Sequence, residues 1–424
     1  MGFSTALSGL NAAANNLTVI GNNIANANTV GFKESRSEFV DAYADSLSGM
    51  SKTQPGAGVR LAQVAQQFNQ GNVELTGNTL DLAINGEGFF TMAATPTDIN
   101  SHVYTRNGAF HVNKDGIITN TQGQALLAYK PNGSTVAAGF STGGLTTVSM
   151  NTGAGKPVST SKIDLDVNLD ASSPAITVPF DPLDSSTYTR ETSVTVYDSL
   201  GVSHKMTTYF VAQTATPPTR DWTAHHYITD NPLAPVSIDT APVPAGATLT
   251  FDSTGKLTVP ASGQVPLAPF VTGTSAANIV ATIDYSGSSQ LSTTFSVNAI
   301  KQDGLPAGTL TGIAIDKEGV IFANFSNGNS TPLGKVAMTR FTNPQGLTKL
   351  GDGAWGESSA SGSPIIGSAG EGTFGSVQSG ALEQSNVDIS KQLVSLILAQ
   401  QTYQANSQTI QTEKSVIDQI MNLR

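Results

Sequence analysis

ISKQLVSLILAQQTYQANSQTIQTEKSVIDQIMNLR, residues 389–424, carries the pattern on which the architecture turns. Ile389, Leu396, Tyr403, Ile410 and Ile417 recur every seven residues, with Leu393 and Met421 on the intervening seam, the apolar period of a helix that pairs with another helix. Gln400, Ser407 and Lys414 fall between them. Ser385 reads as an N-cap with Asp388 three positions on, and no Pro follows. A helix from there to Arg424 would run about 57 Å at ~1.5 Å per residue, too long to hide within one small domain. An ordinary helix packed on its own domain would show the same period, so the layout of the whole chain has to separate the two.

The other end carries a matching seam. Phe3, Leu7, Leu10, Ala14, Leu17, Gly21 and Ile24 follow a 4-3-4-3 spacing with Ile20 beside them, one apolar stripe on a Pro-free helix. Its other faces hold Asn11, Asn15, Asn16, Asn22 and Asn23, poor helix formers because a short amide competes for the backbone, so this helix is marginal alone. Everything between about 73 and 375 is rich in Gly, Thr, Val and turn signals and reads as strands. A β-rich body with a helical stalk made from both termini follows, an α+β fold that is mainly β.

Within the body, Leu80–Ile84, the turn Asn85-Gly86-Glu87-Gly88 and Phe89-Phe90 read as strand, turn and strand. Further hairpin turns are expected at Asn113–Gly116, Asp198–Gly201 and Asp316–Gly319, giving mostly antiparallel connections. The stretch 214–275 is dense in Pro, Ala and Thr and reads as loop-rich and surface-facing, and 46–58 as a flexible loop.

Composition narrows the function. At 424 residues there is room for two or three domains. Charged residues make up 12%, about half of the roughly 25% of an ordinary soluble domain, so like subunits can pack without heavy repulsion. A net charge of −10 with no basic run argues against nucleic acid. The absence of Cys excludes disulfides and thiolate metal sites. No apolar stretch approaches the ~18 residues of a membrane span. The first thirty residues lack the basic and apolar regions of a cleaved secretory signal, and Ala6 stands where a myristoylation motif wants Ser or Thr. A cytoplasmic protein, or one exported without a cleaved signal, is expected.

No motif in the chain carries the pattern of a catalytic or metal site. Gly351–Gly356 matches GxGxxG, but the loop formers Glu357–Pro364 follow where a helix would have to open, so a plain turn is expected. Asp164, Asp166 and Asn168 begin like a calcium loop, yet Leu169 and Ala175 occupy its Gly and Glu positions. Ile163, Leu165, Val167 and Leu169 alternate with them, which is a half-buried strand. The five His, at 102, 111, 204, 225 and 226, have no zinc spacing and read as surface residues, with His225 and His226 pointing opposite ways on a strand. No nucleophile elbow is present, so no enzyme, cofactor, metal or small-molecule substrate is expected.

Gly21-Asn22-Asn23-Ile24-Ala25-Asn26-Ala27-Asn28-Thr29-Val30-Gly31-Phe32-Lys33 closely resembles the signature shared by the axial proteins of the bacterial flagellum, its rod and hook proteins. Asn22, Asn23, Ile24, Asn26, Gly31, Phe32 and Lys33 carry the match. Leu80–Ile84 with Gly88-Phe89-Phe90, Tyr104–Gly108 and Gly380–Asp388 extend it over both ends and the flanking body. Rod proteins are shorter. The long middle, with Thr195–Gly201 and Ile315–Ile321, and the tail Gln400, Tyr403–Asn406 and Gln408–Ile410, resemble hook proteins. The segment Met50–Gly58 departs toward the longer stretch of rod proteins.

The resemblance implies a terminal helical polymerisation domain (1–30 and 380–424) and a connecting segment (31–72 and 365–379). It also implies an inner β domain (73–155 and 305–364) into which an outer β domain (156–304) is inserted. It further implies an extracellular hook subunit that polymerises with itself, for which the two apolar seams offer Phe3, Leu7, Leu10, Leu17, Ile20, Ile24, Ile389, Leu393, Leu396, Tyr403, Ile410, Ile417 and Met421 as the contact. The implied neighbours are the distal rod, the hook cap, the hook–filament junction proteins and the flagellar export apparatus, with no membrane insertion. Two alternatives stay open on the sequence: a distal rod protein, and a secreted carbohydrate-binding β protein, which would need the acidic or aromatic cleft for which no motif is evident.

Overall fold

The computed structural model describes residues 2–42, 56, 58–150, 155–216, 219–240, 246–273 and 275–422. Apart from Gly56 and Gly58, the loop expected over 46–58 lies outside the described residues. The protein is α+β and mainly β, with helices α1 (Gly2–Ala25) and α2 (Ile389–Asn422) at the two ends of a long run of strands. No described helix is long and apolar enough to cross a membrane.

The start of α2 differs from expectation. Asp388, not Ser385, is the cap: its Oδ1 accepts from Lys391 N–H at 3.2 Å. Asn386 keeps the preceding residues out of the helix, because its side chain donates to the carbonyls of Gln67 and Asn69 and accepts from Glu34 N–H. The 34 residues of α2 therefore span about 51 Å.

Two compact units make up the chain. The first comprises Met1–Asn151, Gly312–Asn324 and Ser330–Arg424. Its hairpin, β1 (Ser35–Asp41) against β2 (Val59–Gln66), is antiparallel and lies beside α1. In the body, strand Phe89–Thr95 pairs with Asp98–Thr105, Ala125–Pro131 and Ser330–Arg340, and buries Phe90 and Met92 at 0% exposure. The hairpin expected between Leu80–Ile84 and Phe89-Phe90 does not form. Leu82–Asn85 pairs instead with Ser376–Ser379. Leu82, Ala83 and Ile84 are all buried, so no wet face alternates with a dry one to hold this strand against its sequence neighbour. The turns at Asn113–Gly116 and Asp198–Gly201 do close antiparallel hairpins, the second in the other unit. Within Gly351–Gly356, Asp352-Gly353 make a tight turn between Thr348–Gly351 and Ala354–Gly356, with no helix after it.

The second unit comprises Thr152–Thr311 and Phe325–Asn329. Strand Lys162–Asp170 lies at its centre, antiparallel to Ser296–Gln302 and parallel to Thr282–Asp284 and Ser289–Leu291, with Ile163, Leu165, Val167 and Leu169 fully buried as their alternation requires. These four pack with Phe210, Trp222, Leu249 and Phe251 into one core. The stretch 214–275 is loop-rich as expected, yet it also carries part of the core: Arg220–Ile228 and Ala247–Phe251 are sheet strands, and Trp222, Leu249 and Phe251 are each 0% exposed. Thr223, Thr248 and Thr250 alternate with these large residues, so the Thr content marked the wetter face of strands.

The histidine expectation also fails. His204, His225 and His226 are buried, and only His102 and His111 reach the surface. His225 and His226 do point apart: His225 stacks on Phe180 at 4.0 Å, and His226 Nε2 lies 2.8 Å from the Tyr285 hydroxyl. Both approach Asp239, with His226 Nδ1 2.6 Å from Oδ1. Burial alone would raise the Asp239 carboxyl, but the His225 ring beside it and the hydrogen bonds from His226 outweigh it and hold the group down at about 2. Because the folded value is depressed from 3.8, its stabilisation is complete above about pH 4 and lost as pH falls toward 2. The contribution is about 2 kcal/mol. In a Trp355→Phe background that leaves Trp222 as reporter, urea unfolding of Asp239→Asn should lose about that much less between pH 4.5 and 2 than the parent does. An unchanged acid slope would contradict this.

Candidate assembly interface

The two terminal helices pack along one another. On α1 the buried positions are Ala6, Ala13 and Ile20, spaced by seven, with Asn23 below them. On α2 they are Gln392 and Ala399, with Asn406 half-buried one heptad further. Small side chains bring the helices close: a Cβ on Gly9 would stand 2.7 Å from Asn406 Oδ1. The seam that closes inside the chain is therefore made largely of small and amide residues, not of the bulky stripe.

The bulky stripe faces out. Phe3, Leu7, Ile389, Leu393, Tyr403, Ile417 and Met421 are exposed, Met421 by 71%. Leu10, Leu17, Ile24, Leu396 and Ile410 are half-buried, and Ile20 alone of the sequence-derived set is fully covered by its own chain. Further large residues that the heptad reading passed over, Val394, Ile397, Leu398, Val416 and Ile420, are also exposed on α2, so apolar surface runs around much of that helix. A monomeric soluble protein rarely shows so continuous an apolar surface. The only warning in the sequence was that α2 holds more large aliphatics than two seams can use.

Below the helices, the signature residues form an anchor. Lys33, 1% exposed, places Nζ 2.6 Å from Glu383 Oε1 and donates to the Asn69 carbonyl at 2.8 Å. Arg106 Nη1 lies 3.1 Å from the other Glu383 oxygen, and Nη2 donates to the Gly86 carbonyl at 2.9 Å. Gly71 N–H also donates to Glu383 Oε1. Burial pulls both cations below their ordinary values, and the Glu383 carboxylate pulls them back up. Gly31 N–H reaches the Glu383 carbonyl at 2.7 Å. Its φ of +69° and the Asn107 backbone nitrogen, 2.6 Å from where a Cβ would sit, require glycine there. Phe32 is buried beneath Lys349, whose Nζ is 5.2 Å from the ring centre. Of the Asn residues, Asn22 is exposed, Asn26 binds the Asn22 carbonyl through its side chain, and Asn23 is buried.

Over its full length the chain is 37% identical to the flagellar hook protein FlgE of Salmonella typhimurium, covering 100% of both chains. The chain belongs to the flagellar hook protein family. It is 36% identical to the hook protein of Escherichia coli across 100% of each, and 31% identical to that of Borreliella burgdorferi across 99% of this chain and 98% of that one. Four family descriptions match along it: flagella basal body rod protein (3–33), flagellar hook protein FlgE/F/G D1 domain (83–196), flagellar basal body protein FlaE D2 domain (164–305) and flagellar basal body rod FlgEFG protein C-terminal (378–423). In fold it is similar to the Helicobacter pylori hook protein FlgE2, with a TM-score of 0.53 at 17% identity over 73% of this chain and 100% of that one.

Proposed function

We propose that this hook-family chain is a structural subunit that polymerises through its helical pair into a curved, flexible tube, the joint that passes torque from rod to filament. The observation that carries this is the bulky face of α1 and α2, left uncovered by the chain's own fold. A contact of one surface patch with a different patch on the next copy, where its rotation does not close into a ring, generates an open helical polymer. Residues 1–30 and 380–424 would then be the polymerisation domain, 31–72 and 365–379 the connection to it, and 73–155 with 305–364 and 156–304 the inner and outer β domains. The neighbours proposed for it are the distal rod, the hook cap, the hook–filament junction proteins and the export apparatus, with export through the flagellum's own channel.

Full-length similarity to hook proteins supports this reading over a distal rod protein. Electron microscopy of the purified, polymerised chain tests it: curved tubes are expected, and straight rigid ones would favour the rod. A variant lacking 1–25 and 389–424 should build no tube, and curved tubes from it would end the proposal.

A further inference from the structure

Five of the asparagines on α1 weaken it as a helix, and one of them is used differently from its neighbours. Asn11, Asn15 and Asn22 are exposed and Asn16 half-buried, whereas Asn23 is 1% exposed. Its amide pairs with one residue at the start of β1 through both of its edges: Nδ2 donates to the Ser35 carbonyl at 2.8 Å, and Oδ1 accepts from Ser35 N–H at 2.9 Å. Nδ2 is also 3.3 Å from Oε1 of Gln392, itself 4% exposed in the first turn of α2. Gln392 Nε2 in turn donates to Glu34 Oε1 at 2.8 Å. One amide therefore joins α1, α2 and the entry to the hairpin.

We infer that Asn23 is the positioning residue of the assembly surface: acting through Gln392 and Ser35, it fixes the angle at which the helical pair leaves the β1–β2 hairpin. This deepens the polymerisation reading and rests on it. The apolar face of the helices sets whether copies associate, while the Asn23 node sets the direction in which that face is presented. Each added subunit repeats the same angle, so an error at the node accumulates along the polymer.

Alanine replacement separates this role from helix stability, because Ala is the best helix former and Asn is among the poorer ones. Asn22→Ala should polymerise at or below the subunit concentration the parent needs. Asn23→Ala should need roughly tenfold more or greater, since it gives up two bonds at a buried backbone site, and Gln392→Ala should need a similar excess. The pair together should lose less than the product of the two, because they share one node. Thermal unfolding of the β body, read at Trp355 in a Trp222→Phe background, should stay within a few degrees of the parent in all of these. Polymers that Asn23→Ala does form should show an altered axial repeat by electron microscopy. Assembly of Asn23→Ala at the parent concentration with the parent repeat would overturn the inference, as would equal impairment of Asn22→Ala. A parent chain that builds no polymer would instead overturn the assembly reading, and the positioning role with it.

Discussion

Replacing Glu383 with Gln is expected to destabilise the helix-bearing unit by about 3–5 kcal/mol, the usual cost of breaking a buried ion cluster by removing one member. The substitution preserves shape and leaves an acceptor for Gly71 N–H, so the loss is electrostatic. Lys33 would keep the Asn69 carbonyl but face a neutral amide oxygen in place of a carboxylate, and Arg106, now opposite the amide NH2, would keep only the Gly86 carbonyl and the face of Phe89, whose ring centre is 5.5 Å away. Neither cation can swing into water, since Lys33 is 1% and Arg106 4% exposed. The double variant Lys33→Met with Glu383→Gln should recover a substantial part of the loss, because one uncompensated charge goes with its partner. Urea unfolding followed by Trp355 fluorescence, in a Trp222→Phe background, reads both variants. A loss under about 1 kcal/mol for Glu383→Gln would show that the cluster is not held as described.

A second large effect is expected on assembly with almost none on the monomer. Leu393 and Ile397 stand one turn apart on α2 and are both about half exposed. Leu393→Asp with Ile397→Asp places two carboxylates where the free chain can solvate them, so monomer stability should move by about 0.5 kcal/mol or less. Against a neighbouring copy the same charges would have to be buried without partners, a cost of several kcal/mol. The subunit concentration needed for polymer should rise more than ~100-fold. Sedimentation of polymer from a dilution series measures this directly. Unchanged assembly would remove this face of α2 from the contact and leave the bulky seam without a role.

How much of this was readable varies from element to element. The helices at both ends were legible because a seven-residue apolar period is a local property, written on consecutive turns. The strand Lys162–Asp170 was legible for the same reason, its four aliphatics alternating with polar residues over nine positions. Within the loop-rich stretch 214–275 the strands Arg220–Ile228 and Ala247–Phe251 were hidden, because Thr and Ala suit the outer face of a strand as well as they suit a loop, and Trp222 or Phe251 means little until a facing sheet exists to cover it. The buried histidines misled likewise: their partners Asp230, Asp239 and Tyr285 stand 13 to 59 residues away in sequence.

The candidate site divides in the same way. That apolar stripes exist on both terminal helices, that the core of the body is β, and that Gly31 to Lys33 belong to a family signature are all properties of neighbouring residues, and local chemistry is enough to state them. Which stripe stays open is not local. Ala6, Ala13 and Ala399 take the intrachain seam because small side chains let two helices approach, and only after that choice is the bulky face left to the outside. The anchor is less local still: Lys33, Arg106 and Glu383 are drawn together from positions as far as 350 residues apart, and no spacing rule spans such a distance. Burial turned three ordinary charged side chains into one cluster, because a charge removed from water must find its opposite within a few ångströms, wherever along the chain that opposite happens to lie.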